Sequence, residues 1–172
     1  MRGEDKRELI LKSAIKVISE KGISNFSISN ICEIANISKG GFMYHFPSKE
    51  ALLQSLHEFI IKFVKDLVDE ELKVRNSYTE AYIYASYTVS KSEEIKAYTS
   101  LLNYETEAKE LLAVWNNFYI EVLNNLSQEL SPEWVSFVDI MVEGLWMKGA
   151  YYNDHNLMPA IELLTKLIKM KE

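Results

Sequence analysis

One cysteine, three prolines and six glycines are all that this 172-residue chain holds of the residues that cross-link or break a fold. The lone Cys32 excludes an internal disulfide framework and a four-thiolate zinc site, and reads as a small buried hydrophobe. So few breakers leave little room for the turns of a β-sandwich and favour long helices. No stretch approaches the ~18 uninterrupted apolar residues of a membrane span. The opening MRGEDKRE is too charged for a signal peptide, so a cytoplasmic protein with no membrane partner is expected. Apolar residues are plentiful, at 48%, and 12% of the chain is aromatic. That excludes a disordered tail and supplies a core.

Positive charge is also scarce overall. The net charge of −6 argues, taken globally, against a nucleic-acid partner. Its distribution softens the argument. Residues 1–57 hold eight Lys/Arg against six Asp/Glu, whereas 58–172 hold eleven against nineteen. A mildly basic front on an acidic body is compatible with DNA binding, because only the surface that meets phosphates must be positive.

Helical periodicity organises the whole chain. Leu11, Ala14, Ile15 and Ile18 predict a helix over 4–21, stopped by Gly22. Ser27 caps a short helix with Ile28, Ile31, Ile34 and Ala35 inward, and Asn36 suits the left-handed turn that follows. Ser38 caps a third helix to about His45, ended by Phe46-Pro47. A long fourth helix starts at Ser48 and runs to about Arg75. Further helices are predicted at roughly 77–89, 92–101, 104–129, 132–151 and 157–171. The chain thus divides into a three-helix unit (1–47), a connecting helix (48–75) and a helical body (76–172), an all-α protein.

Two short helices joined by the turn Asn36 to Lys39 fit a helix-turn-helix, and equally an ordinary αα-corner. The third helix is more informative. Phe42 and Phe46 share a face that can anchor it, leaving Lys39, Gly40, Gly41, Tyr44 and His45 outward. Each helical glycine costs about 1 kcal/mol, so local stability does not explain two in succession. Close approach of the backbone to another surface does, and the positive helix end favours a phosphate there.

From Ala14-x-x-x-Ile18-x-x-x-Gly22 through Phe26-Ser27-Ile28-x-x-Ile31 to Ile37-Ser38-Lys39-Gly40-Gly41-Phe42-Met43-Tyr44-His45-Phe46-Pro47-Ser48-Lys49-Glu50-Ala51-Leu52, the sequence resembles the tetracycline-repressor (TetR) family of bacterial transcriptional regulators. The resemblance covers roughly residues 6–56. It implies an N-terminal helix-turn-helix domain followed by a C-terminal helical bundle that binds a ligand and dimerises. It further implies that Ser27 caps its helix and meets a phosphate, and that Ser29 lies where a base is read. Ser38, Lys39, Gly40 and Gly41 would open the recognition helix at the groove, Tyr44 and His45 would hold backbone or base, and Lys49 would pair with a phosphate. Cys32, Asn36, Gly41 and Met43 depart from the residues common in the family, and the last two remove side-chain contacts.

The body holds all three tryptophans and nine of the ten tyrosines. Leu112, Trp115, Tyr119, Val122 and Leu126 follow helical spacing, which fits plain core packing. So many polar-tipped rings also suit a small-molecule cavity between helices, with Tyr82, Tyr87, Tyr104, Trp115, Tyr119, Met141 and Trp146 as candidate lining for a small hydrophobic or aromatic effector. The last two helices have wide apolar faces. Val135, Val142, Trp146, Gly149, Ile161, Leu164 and Ile168 are the candidates for a homodimer interface, with a monomeric bundle as the alternative.

The three histidines are far apart, and no metal-ligand spacing, phosphate-cradling glycine loop or nucleophile motif occurs. No catalytic residue, metal or cofactor is expected. The sequence therefore reads as a ligand-responsive regulator, most simply a repressor, that binds a palindromic double-stranded DNA operator as a homodimer. The alternative is a helical small-molecule or protein-binding module without a DNA target.

Overall fold

The computed structural model of the chain describes residues 3–104, 109–152 and 156–170, the side chains of 3–4, 103–104 and 109–112 excepted. All regular structure among them is helical. α1 (Gly3–Lys21), α2 (Ile28–Ala35) and α3 (Lys39–His45) form the front unit, and α4 (Lys49–Leu72) leads out of it. The body follows as α5 (Tyr78–Val89), α6 (Glu93–Tyr104), α7 (Lys109–Leu126), α8 (Pro132–Tyr151) and α9 (Met158–Lys169).

Local signals set most of the boundaries. Ser27, Ser38 and Ser48 each accept a hydrogen bond from the backbone N–H three residues on, at 3.1–3.2 Å, satisfying a donor that the first helical turn leaves free. Gly22 takes φ +80°, where a side chain would be strained, and its N–H returns to the Ile18 carbonyl. Asn36 sits in the left-handed region at φ 50°, ψ 51°, which turns α2 into α3. A 3-10 turn at Ile23–Asn25, absent from the periodicity, fills the gap before Phe26. Of the helix expected over 104–129, residues 105–108 lie outside the described residues, and α7 spans Lys109–Leu126. The Leu130 N–H bonds back to the Leu126 carbonyl before Ser131-Pro132 opens α8.

Two apolar cores lie along α4. The front core joins Ile10, Ala14, Ile18, Phe42 and Phe46 to Leu52, Leu56 and Ile60 of α4, and it also recruits Ala97 and Leu101 from α6. The body core gathers α4's Val64 and Val68 with the inner faces of α5, α7, α8 and α9. Tyr98 and Trp115 pack against both. The front unit is therefore seated on α4 and α6 together, not hung from α4 alone.

The expected partner face is the inner one. Val135, Val142, Trp146, Ile161, Leu164 and Ile168 are all buried within the subunit. Gly149 packs against the end of α5 so closely that a Cβ there would stand 1.8 Å from the Ser90 carbonyl oxygen. Side chains already enclosed by their own chain cannot meet a second one. The apolar residues left outside are Phe137, Ile140, Met147 and Tyr151 on α8, with Leu163, Leu167 and Met170 on α9. Their spacing of three, four or seven residues makes one stripe on each helix, with Met170 capping the end of α9.

Candidate nucleic-acid interface and aromatic cavity

The short helix α3 is held by its two phenylalanines. Phe42 is 0% and Phe46 1% exposed, their ring centroids 5.8 Å apart. Arg7 from α1 lies over the Phe46 ring at 5.1 Å and donates to Ser55 Oγ at 2.7 Å, tying α1, the end of α3 and α4 together. With that face fixed, Ser38, Lys39, Gly40, Gly41, Met43 and Tyr44 turn to solvent. Tyr44 is 85% exposed, and its ring meets the half-buried His45 edge-on at 5.1 Å.

Neither glycine of this helix has a positive φ. A Cβ at Gly40 would find only Ser38 Oγ, at 4.0 Å, and at Gly41 the same atom at 3.3 Å. Conformation therefore requires neither residue, and packing within the chain leaves Gly40 unexplained. On α2, Ser27 and Ser29 are exposed beside α3. Lys49, first residue of α4, is half-buried with its ammonium 5.0 Å from the Phe26 ring centroid. The structure thus brings all nine proposed contact residues to α2, α3 and the start of α4. Cys32 faces the other way, into the core, where burial pushes its thiol pKa up.

A cavity of about 700 Å³ opens between α5, α6, α7 and α8. Four of the seven candidate lining residues reach it: Tyr82, Trp115, Tyr119 and Trp146. Tyr87 points elsewhere and accepts a hydrogen bond from Lys91. Met141 lines a separate crevice between α8 and α9. The Tyr104 side chain lies outside the described residues.

Sequence periodicity missed Tyr98, whose ring is 4.2 Å from Trp115 and edge-on to Trp146 at 6.3 Å. It also missed Asp139 and Glu143 of α8. Asp139 accepts the Tyr119 hydroxyl, and that bond, with burial and the nearby carboxylates, pushes Tyr119 up to about 12. Burial, then the Glu143 charge, pushes Tyr98 up to about 12 as well. Both phenols stay protonated at neutral pH, and Tyr119 donates to Asp139. The nine-tenths-buried Trp146 has an indole N–H with no acceptor among the described residues.

Behind the cavity, Trp115 Nε1 donates to His57 Nδ1 of α4 at 2.8 Å. One ring of the cavity lining is therefore bonded to the helix that follows α3. Among the described residues no group of three His, Cys, Asp or Glu is placed to hold a metal, and no helix is long and apolar enough to cross a membrane.

Comparison with known proteins agrees with this geometry. The family signature of the bacterial regulatory proteins, tetR family, matches residues 10–56. Over 53 residues the chain is 43% identical to the uncharacterized HTH-type transcriptional regulator YuxN of Bacillus subtilis, a match covering 31% of this chain and 18% of that protein. A longer match, 26% identical over 136 residues, covers 77% of this chain and 69% of IcaR, the biofilm operon icaADBC HTH-type negative transcriptional regulator of Staphylococcus aureus. The fold overlays that of a transcriptional regulator from Rhodococcus sp. Rha1 with a TM-score of 0.79 at 16% identity, over 96% of each chain. Residues 10–56 thus match the family model of the bacterial regulatory proteins, tetR family, and the rest of the chain shares the all-helical fold of solved transcriptional regulators.

Proposed function

We propose that this chain is a cytoplasmic DNA-binding transcriptional repressor, acting as a homodimer on a two-fold operator and released by a small hydrophobic or aromatic effector. It binds and does not catalyse. The observation that carries the reading is α3, a helix fully anchored on one face and presenting Lys39, Gly40, Gly41 and Tyr44 on the other. A helix so presented fits the ~12 Å major groove, and the bare backbone at the glycines lets its positive end come close to phosphate. Support for repression comes from the likeness to IcaR, named a negative regulator.

Selection of bound duplexes from a random pool tests the reading, with recovery of a two-fold motif as the expected result. Affinity for that duplex should fall with salt at a log–log slope of roughly −0.9 per phosphate neutralised. Affinity that does not change with salt points instead to a protein-docking module.

The outward stripes of α8 and α9 supply the surface for a second copy. Ile140 and Leu163, 66% and 57% exposed, lie on them. The double variant Ile140→Glu, Leu163→Glu should keep its helix content, because neither side chain packs inside the subunit. In sedimentation it should run as a monomer at concentrations where the parent is a dimer. A variant that remains dimeric places the interface elsewhere.

An effector reaches the DNA face by two routes. Tyr98 and Trp115 line the cavity and pack against both cores, and Trp115 is bonded to α4 through His57. A ligand that moves these rings shifts the front units of the dimer relative to each other, and a coupling of about 1–3 kcal/mol is typical of such linkage.

A further inference from the structure

The cavity is one-sided in charge. Asp139 and Glu143, four residues apart on α8, both face it, and no Lys, Arg or His lines it among the described residues. Among the described residues neither carboxylate meets a cation there. Asp139 is bonded to the Tyr119 hydroxyl, a neutral donor. Lys65 approaches the ring of the lining residue Phe118 at 5.8 Å, but Glu121 holds its ammonium at 2.6 Å. Six rings, Tyr82, Tyr98, Trp115, Phe118, Tyr119 and Trp146, make up half of the remaining lining, and the other half is aliphatic or neutral polar. Trp115 meets Tyr98 at 4.2 Å and Phe118 edge-on at 5.9 Å, while Trp146 closes on Tyr98 from another side. The negative field crosses the whole space, since the Asp139 or Glu143 charge helps to raise Tyr82, Tyr98 and Tyr119 alike.

We propose that this cavity selects a lipophilic organic cation, a bulky aromatic or alkyl body bearing one delocalised or quaternary positive charge. The inference rests on the reading of the cavity as an effector site and adds the sign of the effector's charge. An anion of the same shape is repelled by the two carboxylates, most strongly by the half-buried Asp139, where solvent screens least. A compact ammonium or metal ion loses hydration that these ring walls do not replace. A large, weakly hydrated cation loses little, gains from the ring faces by cation–π attraction, and is drawn by both carboxylates. Glu143 is exposed and Asp139 half-buried, so the acidic pair runs from the surface inward.

Tetraphenylphosphonium and tetraphenylborate, matched in shape and opposite in charge, test the proposal on the free full-length protein without DNA. Binding is read by quenching of tryptophan fluorescence and by calorimetry. The phosphonium is expected to bind saturably and at least tenfold more tightly than the borate, a difference of about 1.4 kcal/mol. The double variant Asp139→Asn, Glu143→Gln keeps an acceptor for Tyr119 and should lose most of that preference, with circular dichroism reporting that the helices persist.

Equal or tighter binding of the borate overturns the charge assignment while leaving the cavity as a ligand site. Undiminished preference in the double variant overturns the role of the two carboxylates. Absence of saturable binding by either probe overturns the effector reading itself, whatever the protein does with DNA.

Discussion

Phe42→Ala is expected to destabilise the front unit by about 4 kcal/mol and to abolish operator binding, whereas Tyr44→Ala, two residues on, should leave stability within about 0.5 kcal/mol of the parent. The contrast follows from geometry. Phe42 is wholly enclosed by the front core, so its removal leaves a cavity beneath a helix of seven residues that has little stability of its own. Tyr44 stands almost entirely in solvent and supports nothing beneath it. Its loss should show instead as an operator affinity lower by about tenfold or more, the size expected for one hydrogen bond to a charged group. Denaturant unfolding, paired with duplex binding at one fixed salt concentration, separates the two effects. Comparable destabilisation by both variants makes Tyr44 structural, and unchanged affinity in Tyr44→Ala removes α3 from the interface.

The front unit was legible in the sequence because its determinants are local. Ser27, Ser38 and Ser48 each cap the helix they precede, and Gly22 and Asn36 adopt the left-handed backbone their residue types favour. The four-residue interval between Phe42 and Phe46 fixes which way α3 faces without reference to the rest of the chain. Extended over seven residues, that argument separates the buried Phe42 from the exposed Lys39, Gly40, Gly41, Met43 and Tyr44, whereas His45, expected outward, is half-buried.

The body was legible only as helices. Its cavity is made where four of them meet, and periodicity records which residues share a face, not which faces converge. Tyr82, Trp115, Tyr119 and Trp146 were within reach because rings are conspicuous, while Asp139 and Glu143 look in sequence like ordinary surface acids. The candidate interface side chains of α8 and α9 proved to belong to the subunit's core for a related reason. Pro132–Tyr151 carries apolar residues on nearly all sides, and the larger stripes went to the subunit's own core. The thinner stripe of Phe137, Ile140 and Met147 remained outside. Amphipathicity identifies a helix to be covered, but the number of neighbours decides what covers it.

A pH dependence centred on His57 is the second large effect. The ring is 2% exposed, and its Nδ1 accepts the Trp115 indole proton, which requires the neutral imidazole. Burial holds its pKa down to about 4, against about 6.5 when free. As pH falls through 6.5 the unfolded chain takes up a proton that the folded chain refuses until about 4. The His57 contribution is therefore fully present above 6.5 and drains away between 6.5 and 4, by about 3 kcal/mol in all. About 2 kcal/mol of this falls between pH 6.5 and 5, above the range in which most carboxylates titrate.

Denaturant unfolding at pH 7, 6 and 5 should show that decline in the parent chain. His57→Gln, whose amide oxygen can still accept from Trp115, should lose about 2 kcal/mol less over the same interval. Identical slopes in the two proteins mean that His57 is protonated within the fold, and the Trp115 bond then cannot join the cavity to α4. A flat slope in the variant alone leaves that bond as a neutral, pH-limited link between the aromatic cavity and the helix that starts where α3 ends.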